Sequence, residues 1–346
     1  MKKLLLLMLV AVFMVTTTAC GEEQVVLNVY NWGDYIDESI LKDFEAEYGI
    51  KVNYEMFASN EDMYVKIKQG GTKYDVAFPS DYMIEKMVNE DMLVSFDAAS
   101  LENYKHIGEK FKGLSYDINN EYSVPYLWGT VGLVYNRELV DEADMMSWDA
   151  LFDEKYNGQI LMYDSQRDSL AVAFKKLGYS LNSTDPKELE EAKQLLIDQK
   201  PLVLAYVTDN IKDLMLSEEA AIGVDYSGDA FQILLEGGTE KFGYSVPKEG
   251  SNMWFDAMVI PKGSEHVEAA KLFIDYMSRP EVALKNVEYV QYSTPNVSIL
   301  GDLSEELKSI PYAYPSEEEL DHCEVFVDPG AFVEEYNEAW VEIKAN

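Results

Sequence analysis

Aromatic residues and carboxylates recur together where the predicted strands of this chain end. Ring faces attract ammonium groups and can cover a methylene chain, while carboxylates accept charge-assisted hydrogen bonds from amines. The combination predicts a binding site for an elongated organic cation. The candidates, strand by strand, are Trp32, Asp34 and Tyr35; Ser80 and Tyr82; Ser165 and Asp168; Thr208; Tyr226, followed by Asp229; and Trp254 with Asp256.

Each of these residues alone also has an ordinary structural explanation. A tryptophan such as Trp32 or Trp254 is common in a core or between lobes, and an aspartate after a strand commonly caps a helix. We expect Asp37 and Asp81 to be such caps. The recurrence of the pairing, rather than any single residue, therefore indicates ligand binding.

Sequence signatures of catalysis are missing from the chain. It contains no Walker loop, no G-x-G-x-x-G, no H-E-x-x-H and no G-x-S-x-G. Its three histidines lie apart, and His322 with Cys323 is one pair without the further ligands of a zinc site. We expect no metal, no cofactor and no enzymatic activity. An exported glycosidase is the alternative, because such enzymes also combine aromatic clefts with paired carboxylates.

Strand and helix patterns that could position these residues occur in two series. The first reads strand at 25–32, helix at 35–48, strand at 50–57, helix at 59–69 and strand at 74–79. The second contains strands at 159–163, 201–206, 221–226 and 252–260, with helices at 171–177, 186–199, 266–277 and 281–288. This alternation predicts an α/β fold of two units. Because ligands of open α/β sheets bind beyond the carboxyl ends of strands, the candidates fall at the expected edge.

The first residues of the chain predict export. Lys2 and Lys3 precede an apolar run at 4–15, which is too short to span a bilayer comfortably, and a small-residue stretch leads to Cys20. The stretch TTACG at 17–21 resembles a bacterial lipoprotein processing site, with Thr17 where leucine is usual. We expect residues 1–19 to be a lipoprotein signal peptide and Cys20 to carry the anchor, with ordinary cleavage as the alternative.

The net charge of the chain limits the classes of partner that it can bind. The sequence has 28 basic and 63 acidic residues and a net charge of −35. Nucleic acid is excluded as a partner by that sign. The field enriches small cations near the surface, although an acidic surface also simply favours solubility.

Several short motifs in order give the chain a family resemblance. At these motifs the sequence resembles the spermidine/putrescine-binding proteins of polyamine ABC transporters, which belong to the two-lobed periplasmic binding protein superfamily. The motifs are YNWGDY at 30–35, SNEDMY at 59–64, YD at 74–75 with PS at 79–80, VPYLWG at 124–129, KLGY at 176–179, TDPK at 184–187, VPKEG at 246–250 and YSTPN at 292–296.

The resemblance implies a type II periplasmic-binding-protein fold with a ligand cleft between its lobes. The implied lobes are 20–130 with 255–300, and 131–254 with 301–346. It further implies capture of spermidine or putrescine outside the cytoplasmic membrane, delivery to the permease subunits of an ABC transporter, and a monomer. The family's binding residues fall on Trp32, Asp34, Tyr35, Ser80, Tyr82, Asp168, Trp254, Asp256 and Tyr292.

The resemblance also suggests roles and shows departures. Asp168 and Asp256 would hold amines, and Trp254 would stack along the aliphatic stem. Ser165 stands where spermidine-binding members carry a second acid, Tyr226 where tryptophan is frequent, and Phe326 at a late amide position. The choice between spermidine and putrescine stays open, as does another small solute such as an amino acid or oligosaccharide.

Overall fold

A computed structural model of the chain describes residues 24–208, 210–310 and 313–346. The predicted signal peptide and Cys20 lie outside the described residues. Within these ranges no helix has both the length and the apolar character needed to cross a membrane.

Nine strands and twelve α-helices, with ten short 3-10 helices between them, make up the regular structure of the described residues. The strands are β1 Val26–Trp32, β2 Lys51–Phe57, β3 Val76–Ala77, β4 Ser123–Asn136, β5 Ile160–Tyr163, β6 Val203–Val207, β7 Ile222–Tyr226, β8 Phe242–Ser245 and β9 Met253–Val259. The helices are α1 Glu38–Tyr48, α2 Asn60–Gln69, α3 Asp81–Asn89, α4 Gln166–Leu177, α5 Pro186–Gln199, α6 Ile211–Leu216, α7 Ser227–Gly237, α8 Val267–Met277, α9 Pro280–Val290, α10 Glu305–Lys308, α11 Glu317–Leu320 and α12 Val333–Ala345.

Local sequence signals explain where the early helices begin and end. The side chains of Asp37 and Ser59 accept hydrogen bonds from backbone N–H groups at the starts of α1 and α2. Gly49 and Gly70 come after these helices at φ 68°, the left-handed conformation that glycine adopts without steric cost. The predicted cap at Asp37 is confirmed.

The strands form one continuous sheet in the order β2-β1-β3-β9-β4-β7-β5-β6, with β8 also paired to β4. β1 pairs in parallel with β2 and β3, and β5 pairs in parallel with β6 and β7. The carboxyl ends of these strands lie at the same edge within each parallel set. The sheet therefore presents two such edges, one from each half.

The long strand β4 joins the two halves of the sheet. Its first part, Ser123–Thr130, pairs antiparallel with β9, and its second part, from Val131, pairs with β7 and β8. All fourteen of its residues are buried. β4 contains Pro125, Gly129 and Gly132 and shows no alternation of polar and apolar residues, so its sequence did not predict a strand.

The chain returns to the first half of the molecule late in the sequence. The hydroxyl of Ser293 donates to the carbonyl of Ala313, and the Tyr314 hydroxyl accepts from the backbone N–H of Thr294. Leu303, Leu307 and Ile310 are buried there. These contacts place residues 303–310, 313 and 314 beside the first half, although the sequence assigned them to the second lobe; the lobe boundaries stay a prediction.

Candidate functional site

Asp256 is the carboxylate at the centre of the first half of the site. It lies in β9, is 5 % exposed, and accepts hydrogen bonds from the hydroxyls of Tyr35 at 2.8 Å and Ser80 at 2.6 Å. Tyr35 comes after β1, and Ser80 lies between β3 and α3. Three residues far apart in sequence therefore meet because β3 lies between β1 and β9 in the sheet.

Asp168 is the corresponding carboxylate of the second half. It lies in the first turn of α4, is 5 % exposed, and accepts from the hydroxyls of Ser165 at 2.7 Å and Tyr226 at 2.8 Å. Ser165 also caps α4 by accepting from the Asp168 backbone N–H. Ser165 thus has a structural role in addition to its place in the site.

A series of aromatic rings in contact links the two carboxylates. The ring centroids of Tyr226 and Trp254 are 5.9 Å apart, those of Trp254 and Tyr292 5.5 Å, and those of Tyr292 and Tyr35 5.3 Å. All three pairs meet edge to face, a favourable arrangement of ring quadrupoles. The Trp254 indole N–H has no acceptor among the described residues. The rings form a wall whose faces can line an aliphatic chain.

Three other predicted residues, Trp32, Asp34 and Thr208, are not part of this wall. Trp32 packs on Phe57 with centroids 4.5 Å apart, and its indole N–H donates to the Phe78 carbonyl at 2.9 Å. Asp34 is exposed beside Tyr35, at φ 48°. Thr208 is exposed after β6, which is the edge strand of the second half, so the structure does not bring it to the cluster.

Tyr82 follows Ser80 by two residues and shares its hydrogen-bond partner Asn60. Its hydroxyl accepts from the Asn60 amide at 3.2 Å and donates to Glu61 at 3.0 Å. Phe326, 4 % exposed, stands beside it with ring centroids 6.4 Å apart, and the guanidinium of Arg167 lies 4.3 Å from the Phe326 ring. An aromatic and a cation therefore occupy the place where the sequence comparison expected an amide.

Two asparagines of the site were not among the sequence candidates. Asn60 donates to the Ser80 hydroxyl at 3.0 Å, and the Asn252 amide donates to Asp168 at 3.5 Å. The Asn252 side-chain oxygen is buried without a donor among the described residues. Asn60 stands inside the SNEDMY motif, but neither residue comes directly after a predicted strand, so only the folded structure places them here.

Asp81 is not the helix cap that the sequence suggested. Ser80 occupies the cap position of α3, and the buried Asp81 carboxylate accepts from the backbone N–H groups of Phe255 and Tyr82. Burial raises the pKa of Asp81 to about 8, while these two hydrogen bonds oppose the shift. Asp81 is therefore neutral below that pH and ties α3 to β9 behind Asp256.

Asp256 has no compensating cation. Neither Asp256 nor Asp168 forms an ion pair with a lysine or arginine in the part of the chain that the structure describes. Burial raises the pKa of Asp256 to about 6, and the hydrogen bonds from Ser80 and Tyr35 hold it from rising further. At neutral pH the site holds a buried negative charge that a bound cation would neutralise.

The described residues offer no alternative chemistry at this position. They contain no group of three or more histidine, cysteine or acidic side chains arranged to hold a metal ion. Burial raises the pKa of Tyr35, Tyr226 and Tyr292 well above the ordinary value, so these hydroxyls stay protonated donors. The site can bind a cationic, partly aliphatic molecule.

The chain is similar in sequence to bacterial solute-binding proteins. Residues 39–311 match a family model described as bacterial extracellular solute-binding protein. The chain is 35 % identical over 331 residues to a spermidine/putrescine-binding periplasmic protein of Escherichia coli K12, covering 95 % of this chain and 94 % of that one. It is 32 % identical over 338 residues to the putrescine-binding periplasmic protein SpuD of Pseudomonas aeruginosa, covering 92 % of each.

Solved structures agree with the predicted fold. The substrate-binding protein PotD of a spermidine/putrescine ABC transporter from Streptococcus pneumoniae has a TM-score of 0.82 at 46 % identity, covering 93 % of this chain and 99 % of that one. A lipoprotein of Treponema pallidum, Tp0655, has a TM-score of 0.83 at 27 % identity, covering 93 % and 100 %. The predicted α/β fold of the periplasmic binding proteins is confirmed.

Because the charge of Asp256 is unpaired, we expect its removal to stabilise the folded, unliganded protein. Because the folded-state pKa is raised, the charged carboxylate destabilises the unliganded protein above about pH 6, and this cost disappears as pH falls toward the ordinary value of 3.8. Asp256→Asn should raise the free energy of unfolding in urea by about 1–2 kcal/mol at pH 8. The gain should vanish near pH 4.

The matched control is Asp302→Asn, which removes an exposed carboxylate. It should leave the free energy of unfolding within about 0.5 kcal/mol at both pH values. An Asp256→Asn protein less stable than the parent at pH 8 would show that the carboxylate is compensated.

Proposed function

The chain belongs to the family of bacterial extracellular solute-binding proteins, and we propose that it captures a polyamine, spermidine or putrescine, and delivers it to an ABC transporter. The observation that carries this proposal is the pair of buried carboxylates, Asp168 and Asp256. Each accepts hydrogen bonds from two hydroxyls, and neither forms an ion pair with a lysine or arginine of the described residues. A polyamine supplies the missing charge, and its methylene stem suits the aromatic wall. The names of the relatives from Escherichia coli and Pseudomonas aeruginosa support the same cargo.

The mechanism that we propose is closure of two lobes on the ligand. The lobes are 20–130 with 255–300, and 131–254 with 301–346, apart from residues 303–310, 313 and 314, which lie beside the first half. β4 and β9 cross between the halves without a flexible linker, so closure is a bend of continuous strands. A cation held between Asp168 and Asp256 favours the closed form, because it lowers the repulsion between the two acids as they approach.

In this mechanism the predicted site residues have distinct roles. Asp168 and Asp256 bind amines, Tyr35, Ser80, Ser165 and Tyr226 orient the carboxylates, and Trp254 and Tyr292 line the aliphatic stem. Trp32 and Tyr82 shape the cleft from the first lobe. Asp34 serves the exposed end of the ligand, and Thr208 has no contact that supports a role.

The alternative of a glycosidase lacks support. The family and the relatives are solute-binding proteins of transport systems, not enzymes. A further alternative, an anionic or neutral solute on the same fold, conflicts with the uncompensated acids, because an anion would add to the buried negative charge and a neutral solute would leave it unpaired.

We propose that the protein works as a monomer tethered to the outer side of the cytoplasmic membrane through Cys20. The family is extracellular. The Treponema pallidum protein of similar structure is a lipoprotein, which supports the anchor. A tether keeps a receptor near its permease, because linked partners meet at a high effective concentration.

Calorimetric titration tests the cargo. A soluble protein that starts at residue 21 should release or absorb heat with spermidine or putrescine at low salt, and Asp256→Asn should weaken binding by about tenfold or more, since a charged hydrogen bond contributes about 1.5–3 kcal/mol. Asp302→Asn should bind like the parent. Absence of binding to both polyamines would refute the proposed function.

The anchor is tested by mass spectrometry and fractionation of the full chain expressed in a bacterium. Cys20 should begin the mature protein and carry acyl chains, and Cys20→Ala should release the protein from the membrane fraction. Cys323→Ala is the matched control, since Cys323 is partly buried beside Lys175 and Glu324 and should not affect tethering. A membrane-bound Cys20→Ala protein would overturn the anchor and leave the polyamine proposal intact.

A further inference from the structure

The two oxygens of the Asp168 carboxylate are used unequally. Oδ2 accepts from the hydroxyls of Ser165 at 2.7 Å and Tyr226 at 2.8 Å. Among the described residues, Oδ1 accepts from the Asn252 amide alone, at 3.5 Å, which is long for a hydrogen bond between nitrogen and oxygen. Because an ionised carboxylate offers about four acceptor positions, Oδ1 keeps acceptor capacity for a ligand.

Beside this oxygen lies a second unused acceptor, the side-chain oxygen of Asn252. Asn252 is 3 % exposed, and its Oδ1 has no hydrogen-bond donor among the described residues. With the amide turned over, its oxygen would face the Asp168 oxygen without a proton between them, so the orientation with the nitrogen towards Asp168 is the favourable one. A buried acceptor without a donor destabilises the unliganded protein.

The backbone around Asn252 is held against β4. The Asn252 carbonyl accepts from the Val131 N–H at 2.9 Å, and the Ser251 hydroxyl donates to the Val131 carbonyl at 2.6 Å. Because alternate residues of an extended chain point to the same face, Asn252 shares the face of Trp254, whose ring belongs to the aromatic wall. The Asn252 side chain is therefore directed at the Asp168 end of that wall.

The protein interior does not supply the missing donor. Asn252 and Asp168 border a narrow gap whose other walls are Val131, Trp148, Ala171, Val172 and Ser251. The gap leaves no room for a water molecule, and most of its walls are apolar. A donor for the Asn252 oxygen therefore has to come from the cleft.

Two adjacent acceptors suit a protonated primary amine. Such an amine carries three N–H donors, so it can donate to Asp168 and to Asn252 at the same time. The Asn252 oxygen is neutral, so it adds an acceptor without adding a further negative charge beside Asp168.

We propose that Asn252 is a ligand-binding residue that, together with Asp168, selects a primary amine over an N-alkylated amine. The proposal rests on the proposed function and extends it. A primary ammonium donates one N–H to Oδ1 of Asp168 and a second to Oδ1 of Asn252. A tertiary ammonium has a single N–H, which it donates to Asp168, and leaves the buried Asn252 oxygen without a donor. Sites with polar groups that pair only with the correct ligand reject analogues in this way.

The first test is calorimetric titration with putrescine and with N,N,N′,N′-tetramethylputrescine, whose protonated nitrogens each carry one N–H. The parent should bind putrescine more tightly. Asn252→Leu keeps the approximate size of the side chain but cannot accept a hydrogen bond. It should weaken putrescine binding by about tenfold and change binding of the tetramethyl compound by no more than about threefold. For a parent that binds spermidine alone, the pair is spermidine and its terminally tetramethylated analogue.

A second variant, Asn252→Asp, separates the two atoms of the amide. It keeps the acceptor and removes the N–H that donates to Asp168, so it should bind putrescine at least as tightly as the parent. If Asn252 only oriented Asp168 through its nitrogen, this variant would lose affinity. The matched control is Asn157→Leu, an exposed position before β5, at the end of that strand opposite the site; both affinities should stay unchanged.

The outcomes separate the two proposals. A parent that binds neither putrescine nor spermidine refutes the proposed function itself. The role of Asn252 is overturned, while the proposed function stands, by an unchanged putrescine affinity in Asn252→Leu, by an equal loss for both amines, or by weaker putrescine binding in Asn252→Asp. Thermal unfolding shows which variants are folded, and either variant alone decides, because each has its own expected result.

Discussion

The buried carboxylates without a cation are the constraint on which this structure depends. Asp168 and Asp256 are each 5 % exposed and each receives hydroxyl hydrogen bonds, which orient the oxygens but do not neutralise the charge. Removing an ion from water costs several kcal/mol unless a counter-charge replaces the lost hydration. The two carboxylates therefore destabilise the unliganded protein. A bound cation removes this cost, so the same charges contribute to the affinity for the ligand.

The sheet explains how these groups come together. β4 pairs with β9 in its first part and with β7 and β8 in its second, so a single buried strand fixes the distance and angle between the two halves. Asp256 and Trp254 lie on β9, and the residues that orient them lie at the ends of β1, β3 and β7. Close backbone approaches complete the arrangement: a Cβ at Gly129 would lie 2.6 Å from the Trp254 ring, and one at Gly228 would meet Tyr292. Small residues are needed where the two halves meet.

Much of this organisation could be predicted from the sequence, because it depends on local patterns. Periodicity and turn residues predict the alternation of strands and helices in the first unit, the cap at Asp37 and the α/β fold. The family motifs are spread along the chain and point to the same fold. β4 could not be predicted, since a strand buried on every side carries no alternation and this one contains proline and glycine. The place of Asn252 in the site could not be predicted either, because it depends on which elements pack together rather than on the residue types found at strand ends. The cap predicted at Asp81 was wrong, because the carboxylate accepts instead from the Phe255 backbone N–H, a tertiary contact that the sequence does not show.

The most direct measurement of the central claim is the pKa of the Asp256 carboxyl, monitored by carbon-13 NMR with and without saturating spermidine, with Asp256→Asn to identify the signal. In the free protein the midpoint should be about 6, because burial raises the pKa. With an amine bound to the carboxylate, the midpoint should fall to the ordinary value of 3.8 or lower, since a neighbouring positive charge favours the ionised form. A midpoint that stays near 6 in the complex would show that the ligand's charge does not reach Asp256 and would contradict the account.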